Sequence, residues 1–110
     1  MADYACMVQA GQISEAQRAK LAAGLERIAG ELLGAQPQST DIQWVVINEG
    51  FGFSAGEPSK SSVVVRSVPV GFPDDRRETL LTEISNLWQQ VTGCTANEIV
   101  ATALDGPLPI

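Results

Sequence analysis

Residues 18–34 read RAKLAAGLERIAGELLG, and residues 77–93 read RETLLTEISNLWQQVTG. Set one above the other at an offset of 59 (80 minus 21), they register: Leu21 falls on Leu80, Leu25 on Ile84, Ile28 on Leu87, Leu32 on Val91 and Gly34 on Gly93. Arg18 falls on Arg77. The matched apolar residues step by four, three and four, which marks one face of an α-helix. The shared offset of stripe and closing glycine points to one β-α-β unit used twice.

Working outward from the first stretch, Tyr4–Gln9 reads as a strand broken at Gly11. Ser14 is a good N-cap, and with Gln17 it makes a capping box. The helix expected from about Glu15 to Leu33 closes at Gly34, a left-handed stop. Small Ala22 and Ala29 allow close approach to a sheet. After a connection over Pro37–Asp41, Ile42–Asn48 reads as a second strand. A β-α-β crossover of this length makes the two strands parallel.

The second unit repeats the order. Ser62–Val70 is a Val-rich third strand, Pro73 and Asp74 open a helix that stops at Gly93, and Glu98–Leu104 is a fourth strand. Asp74 and Asp75 suit the positive end of that helix. Between the units lies Gly50–Ser61, with Phe51 and Phe53 set among glycines. Two phenylalanines in a polar link are expected to pack on a neighbouring subunit rather than on the chain's own core. Asp105–Ile110, with two prolines, reads as an extended arm. The organisation expected is one domain over residues 1–110: repeat one about 2–49, a link 50–61, repeat two about 62–104, and the arm 105–110. Four strands and two helices in this order fit two architectures. One is a ferredoxin-like split β-α-β, and the other sets two intact β-α-β units side by side about a pseudo-twofold axis.

Composition narrows the function. The 110 residues carry a formal charge of −6, with seven scattered basic residues, which argues against nucleic-acid or anionic-membrane surfaces. No apolar run approaches a membrane span. Asp3 stands where a secretory leader would be basic, so a cytoplasmic location is expected. Cys6 and Cys94 have no metal-ligand spacing and read as small buried hydrophobes in a reducing compartment. The chain has no histidine. That removes Ser-His-Asp and Cys-His relays and histidine-ligated zinc. Proton transfer near neutral pH is left to a carboxylate, a cysteine, a perturbed lysine or tyrosine, or the terminal amine, whose intrinsic pKa of about 7.7–8.0 suits a base.

Five features now fall into order: Ala2-Asp3-Tyr4-Ala5-Cys6, the Ile13-Ser14 helix entry, Ser39-Thr40-Asp41, the Gly/Phe-rich link, and Ser61-Ser62-Val63-Val64-Val65. In that order and spacing the chain resembles the tautomerase superfamily in its longer, two-repeat form. It is most similar to the cis-3-chloroacrylic acid dehalogenase-like and malonate semialdehyde decarboxylase-like branches. The resemblance implies an α+β, MIF-like fold. Two consecutive β-α-β repeats would form a four-stranded mixed sheet with two helices on one face, assembled as a homotrimer. It also implies an amino-terminal pocket, where a proline exposed by methionine removal acts on small keto, enol or unsaturated acids. Arginines bind the substrate carboxylate there and an acidic residue positions water. No cofactor or metal is expected.

The chain departs from that pattern at the site. Residue 2 is Ala2, so removal of Met1 would leave a primary amine, able to act as a base or to form an imine. Retained methionine would displace the amine by up to about 3.6 Å. The family's arginine positions hold Val70 or Gly71, and Pro73. Arg66, Arg76 and Arg77 are the nearest substitutes, with an interface salt bridge as the structural reading of Arg66. Asp41 matches the acidic residue of the decarboxylase branch, or caps a turn. Tyr4, two positions from Ala2, is expected on the same strand face, as pocket wall or core. Ala29 stands where the dehalogenase branch has its helix histidine, which argues against efficient dehalogenation. The candidate site is therefore Ala2 and Asp41 as catalytic groups, with Arg66, Arg76 and Tyr4 binding a small carboxylic acid. The leading function is weak keto-enol tautomerisation of a 2-oxo or 2-hydroxy acid. The alternatives are a non-catalytic trimeric binding or interaction protein of the same fold, and a ferredoxin-like regulatory module.

Overall fold

The computed structural model describes residues 2–36 and 39–109. Met1, Pro37, Gln38 and Ile110, on which the amino-terminal, connecting and tail readings partly fall, lie outside the described residues. The elements run β1 (Tyr4–Gln9), α1 (Glu15–Leu33), β2 (Ile42–Ile47), a short pair β3 (Phe53–Ser54) and β4 (Glu57–Pro58), β5 (Ser62–Val68), α2 (Asp74–Thr92), a 3-10 turn (Ala96–Glu98) and β6 (Ile99–Asp105).

Local chemistry sets the helix ends. Ser14 and Gln17 form the reciprocal capping box, and Gly34 and Gly93 both adopt left-handed backbone at the closing positions. β5 stops at Val68 because Pro69 has no N–H to offer the ladder.

The main sheet has the order β2-β1-β5-β6. β1 runs parallel to β2 and β5 parallel to β6, and the two pairs meet antiparallel at β1 and β5. Each β-α-β unit is thus intact. A split β-α-β would place another strand between the two strands of a unit, so the ferredoxin-like alternative is overturned. Both helices cover one face. Tyr4, Cys6, Val8, Val64 and Val68 of the sheet close against Leu21, Leu25 and Ile28 of α1 and Leu80, Ile84 and Trp88 of α2. Burying each large aliphatic of that stripe is worth about 1.5–3 kcal/mol, which makes it the main source of helix stability.

The repeat is offset differently on the sheet. Tyr4, Cys6 and Val8 face the helices, as do Val64, Arg66 and Val68, and across β1–β5 Tyr4 lies opposite Arg66 and Cys6 opposite Val64. Setting Tyr4 on Val64 carries its ladder partner Ile42 onto Ala101, an offset of 59 (101 minus 42) that matches the helices, so the first strands are offset by 60 (64 minus 4) and the second unit is one residue shorter between its first strand and its helix.

Three expectations change. The link is not irregular throughout: β3 and β4 pair through a tight turn at Ala55 and Gly56, both at positive φ (52° and 82°). That is the backbone a two-residue hairpin turn needs. Phe51 and Phe53 on this excursion are exposed and belong to neither core cluster of the described residues. The tail is not an extended arm: after Gly106 (φ 83°) it folds back, and Leu108 is buried against Ala2 and Ala5. Ala2 consequently packs with Leu108 and Ala5 rather than on Tyr4's face, because the chain bends at Asp3 before β1 begins. Among the described residues, no helix is long and apolar enough to cross a membrane.

Candidate functional site

Antiparallel pairing of β1 with β5 brings the start of the chain beside the end of β5. Asp3 and Tyr4 donate backbone N–H groups to the Asp41 carbonyl (2.8 and 3.1 Å), and Ser67 N–H donates to the Asp3 carbonyl (3.0 Å). The tail closes the third side, with Ser67 Oγ donating to the Gly106 carbonyl at 2.6 Å and Gly106 N–H donating to Val68 at 2.8 Å. Between these strands opens a groove of about 370 Å³, lined by Ala2, Asp3, Arg66, Ser67, Val68 and the Pro69 and Gly106–Pro107 bends.

Arg66 is the dominant charge of this groove. It projects to the helix side of β5 and is only 7% exposed. Its Nε donates to the Ser67 carbonyl at 2.9 Å, and its guanidinium carbon lies 4.6 Å from the centroid of the Tyr4 ring. Nη1 is buried with no hydrogen-bond partner among the described residues. No carboxylate among the described residues lies within ion-pairing distance of it. A guanidinium taken from water without a counter-ion is costly, and stacking on an aromatic face offsets only part of that cost. The arrangement attracts an anion.

Tyr4 underpins the arginine. Its hydroxyl donates to the Leu25 carbonyl of α1 at 2.9 Å, and burial pushes its pKa up to about 12 despite the opposing charge of Arg66. It sits beneath the guanidinium in the core and does not line the groove. Cys6, on the same face, is buried and its thiol is likewise pushed up to about 12 by burial. It is no nucleophile near neutral pH. Cys94 is only half buried.

Asp41 holds the entrance through its backbone, while its side chain is exposed and does not line the groove. The carboxylate that does is Asp3, whose Oδ2 accepts from the Asp41 N–H at 2.8 Å. Sequence reading passed over Asp3. Its signal was adjacency to Ala2, but a residue next to a strand start can face either way. Arg76 donates Nη2 to the Leu32 carbonyl at 2.6 Å and lies 5.5 Å from the Phe72 ring, capping the last turn of α1 away from the groove. Arg77 bonds the Ala103 carbonyl and pairs with Asp105 at 2.6 Å. A wider groove of about 480 Å³ beside α2 has this Arg77 as its lining cation, already neutralised.

No protein-family model matches the chain, and no curated protein matches it. Solved structures do. The crystal structure of native Ps01740 is 28% identical, with a TM-score of 0.88 over 94% of this chain and 93% of that one. N1, a member of the cis-3-chloroacrylic acid dehalogenase family, is 19% identical with a TM-score of 0.86, over 94% of this chain and 74% of that one. A fused 4-OT wild-type asymmetric trimer is 20% identical with a TM-score of 0.83, over 94% and 85%. The two intact β-α-β units, the shared helix face and these likenesses together give the chain the fold seen in fused 4-OT and in the cis-3-chloroacrylic acid dehalogenase family member.

Proposed function

We propose that this chain is a divergent tautomerase-superfamily protein that binds a small 2-oxo or 2-hydroxy carboxylic acid in its amino-terminal groove and tautomerises it weakly. The observation that carries the reading is the buried Arg66 Nη1, without a partner among the described residues, in a groove that Ala2 also lines. Arg66 takes the substrate carboxylate. With Met1 removed, the Ala2 amine takes the enol O–H proton and the same proton is delivered to the adjacent carbon, giving the ketone. A neutral amine fits this step because apolar surroundings disfavour its charged form. Asp3, fixed by the Asp41 N–H, gives the groove its acidic group, and Tyr4 supports Arg66 from below.

Self-association as a homotrimer belongs to the same proposal. Val45, Met7, Val63 and Val100 form one row across all four strands on the face the helices leave open, with Val45 and Val100 exposed. Fused 4-OT structures with this fold are trimers. An apolar row of this kind is the surface a second copy would cover.

A second reading is favoured by one observation. Ala2 is buried under Leu108, which restricts access to its amine. The groove would then bind the acid without turning it over. The test is ketonisation of phenylenolpyruvate and 2-hydroxymuconate, followed by ultraviolet absorbance, on protein whose intact mass fixes the state of Met1. A rate above the buffer blank that is lost on acetylating the amine supports catalysis. Saturable ligand binding without such a rate supports the binder, and neither rate nor binding overturns both.

A further inference from the structure

The end of the β1–β5 pair opposite the amino-terminal groove is where β5 begins, at Ser62. That end has its own cleft of about 220 Å³, lined by Gln12, Lys60, Ser62, Thr92, Cys94 and Glu98 among others. Ser62 is 5% exposed, and its hydroxyl makes no hydrogen bond to a described residue. The hydroxyl is not sealed in the core and is free to meet a solute in the cleft.

The charges of the cleft are arranged in a specific way. Glu98 is held in place by Thr95, whose N–H and hydroxyl donate to Oε1 at 2.9 and 3.2 Å. These bonds, backbone first, hold its carboxyl below the usual range, and Lys60 acts in the same direction. The two charges thus feel one another, yet no ion pair joins them among the described residues. Both line the cleft. The carboxyl-terminal end of α2, at Thr92 and Gly93, adds the negative end of a helix dipole to the lining.

We infer that this cleft is a second ligand site, specific for a small zwitterion of the amino-acid class, whose carboxylate meets Lys60 and whose ammonium meets Glu98 and the α2 terminus, with Ser62 donating to the bound carboxylate. A plain carboxylate would leave Glu98 unanswered and a plain amine would leave Lys60 unanswered, so the site discriminates against both. It lies at the opposite end of the sheet from Arg66 and does not depend on the function proposed there.

The experiment is ligand-observed saturation-transfer NMR on the full chain with L-alanine, β-alanine, propionate and propylamine, each at millimolar concentration. At least one of the two zwitterions is expected to show saturable transfer, with propionate and propylamine at least tenfold weaker. Lys60→Met, an exposed change, and Ser62→Ala, checked for retained fold by circular dichroism, are each expected to weaken zwitterion binding at least tenfold. Arg66→Met, which disables the other groove, leaves it as it is. No transfer from either zwitterion would mean that solvent alone fills the cleft. That result, equal binding of propionate, or unchanged binding in Lys60→Met overturns the proposal.

Discussion

The Arg66 guanidinium lies over the Tyr4 ring, 4.6 Å from its centroid, and the Tyr4 hydroxyl in turn is tied to α1 at Leu25. A cation in the amino-terminal groove is thereby positioned by an aromatic ring anchored to the helix layer. Replacing it by Met keeps the volume and removes an unpaired buried charge. Arg66→Met is therefore expected to leave the melting temperature unchanged or raise it, while small-carboxylate binding falls at least tenfold. Thermal denaturation alongside ligand titration checks this. Loss of stability with retained binding would assign Arg66 a purely structural task.

Tyr4 and Cys6 make the fold sensitive to alkali. Both are neutral in the folded chain up to about pH 12, against ordinary values of 10.0 and 9.0. A raised folded pKa means that the unfolded state loses its proton first, so their stabilisation is complete below pH 9 and is lost between about pH 9 and 12. Urea unfolding across that window should show falling stability, and Cys6→Ala should flatten the slope at its lower end.

Helix contact in this fold is set by Gly24. A Cβ there would run into the Leu87 side chain of α2, where the two helices cross. Gly24→Ala is expected to cost about 1–3 kcal/mol from overpacking, outweighing the gain in helix propensity. Gly30→Ala, whose nearest atom would be the Ala35 carbonyl oxygen at 3.7 Å, should instead stabilise by roughly 0.8–1 kcal/mol. Chemical denaturation of the two variants separates the effects.

The open face of the sheet predicts its own disruption. Val100 is exposed at the β6 end of the apolar row that Val63 and Met7 continue. Val100→Asp should convert the proposed homotrimer to monomer with secondary structure intact, as read by sedimentation velocity and circular dichroism. A monomeric parent protein would contradict the assembly.

Much of the fold was legible because the deciding signals are local. The capping box at Ser14 and Gln17, the four-three-four stripes and the glycine stops fixed both helices. Parallel pairing within each unit followed from crossover length. What stayed hidden depended on long-range partners. The β3–β4 hairpin turns on positive φ at Ala55, a residue with no turn preference. The return of Leu108 onto Ala2 could not be seen in a tail with two prolines. At the site, Arg66 stood out as a charge among valines, but the face it takes and the missing carboxylate are properties of packing. Asp3 and Asp41 were exchanged for the same reason: the backbone pairing of residues 38 apart decides which carboxylate enters the groove.

The most direct test of the central claim uses 2-oxo-3-pentynoate, the compound that inactivates Pt0534, a protein of the same fold. Its carboxylate suits Arg66, and its activated triple bond accepts an amine nitrogen, the amine proton moving to the neighbouring carbon. Intact mass and peptide mapping of protein lacking Met1 should show one reagent added at Ala2, and little addition in Arg66→Met. Addition at Cys94 or elsewhere instead of Ala2, or equal labelling of Ala2 in Arg66→Met, would contradict a groove in which this arginine delivers an acid to the terminal amine.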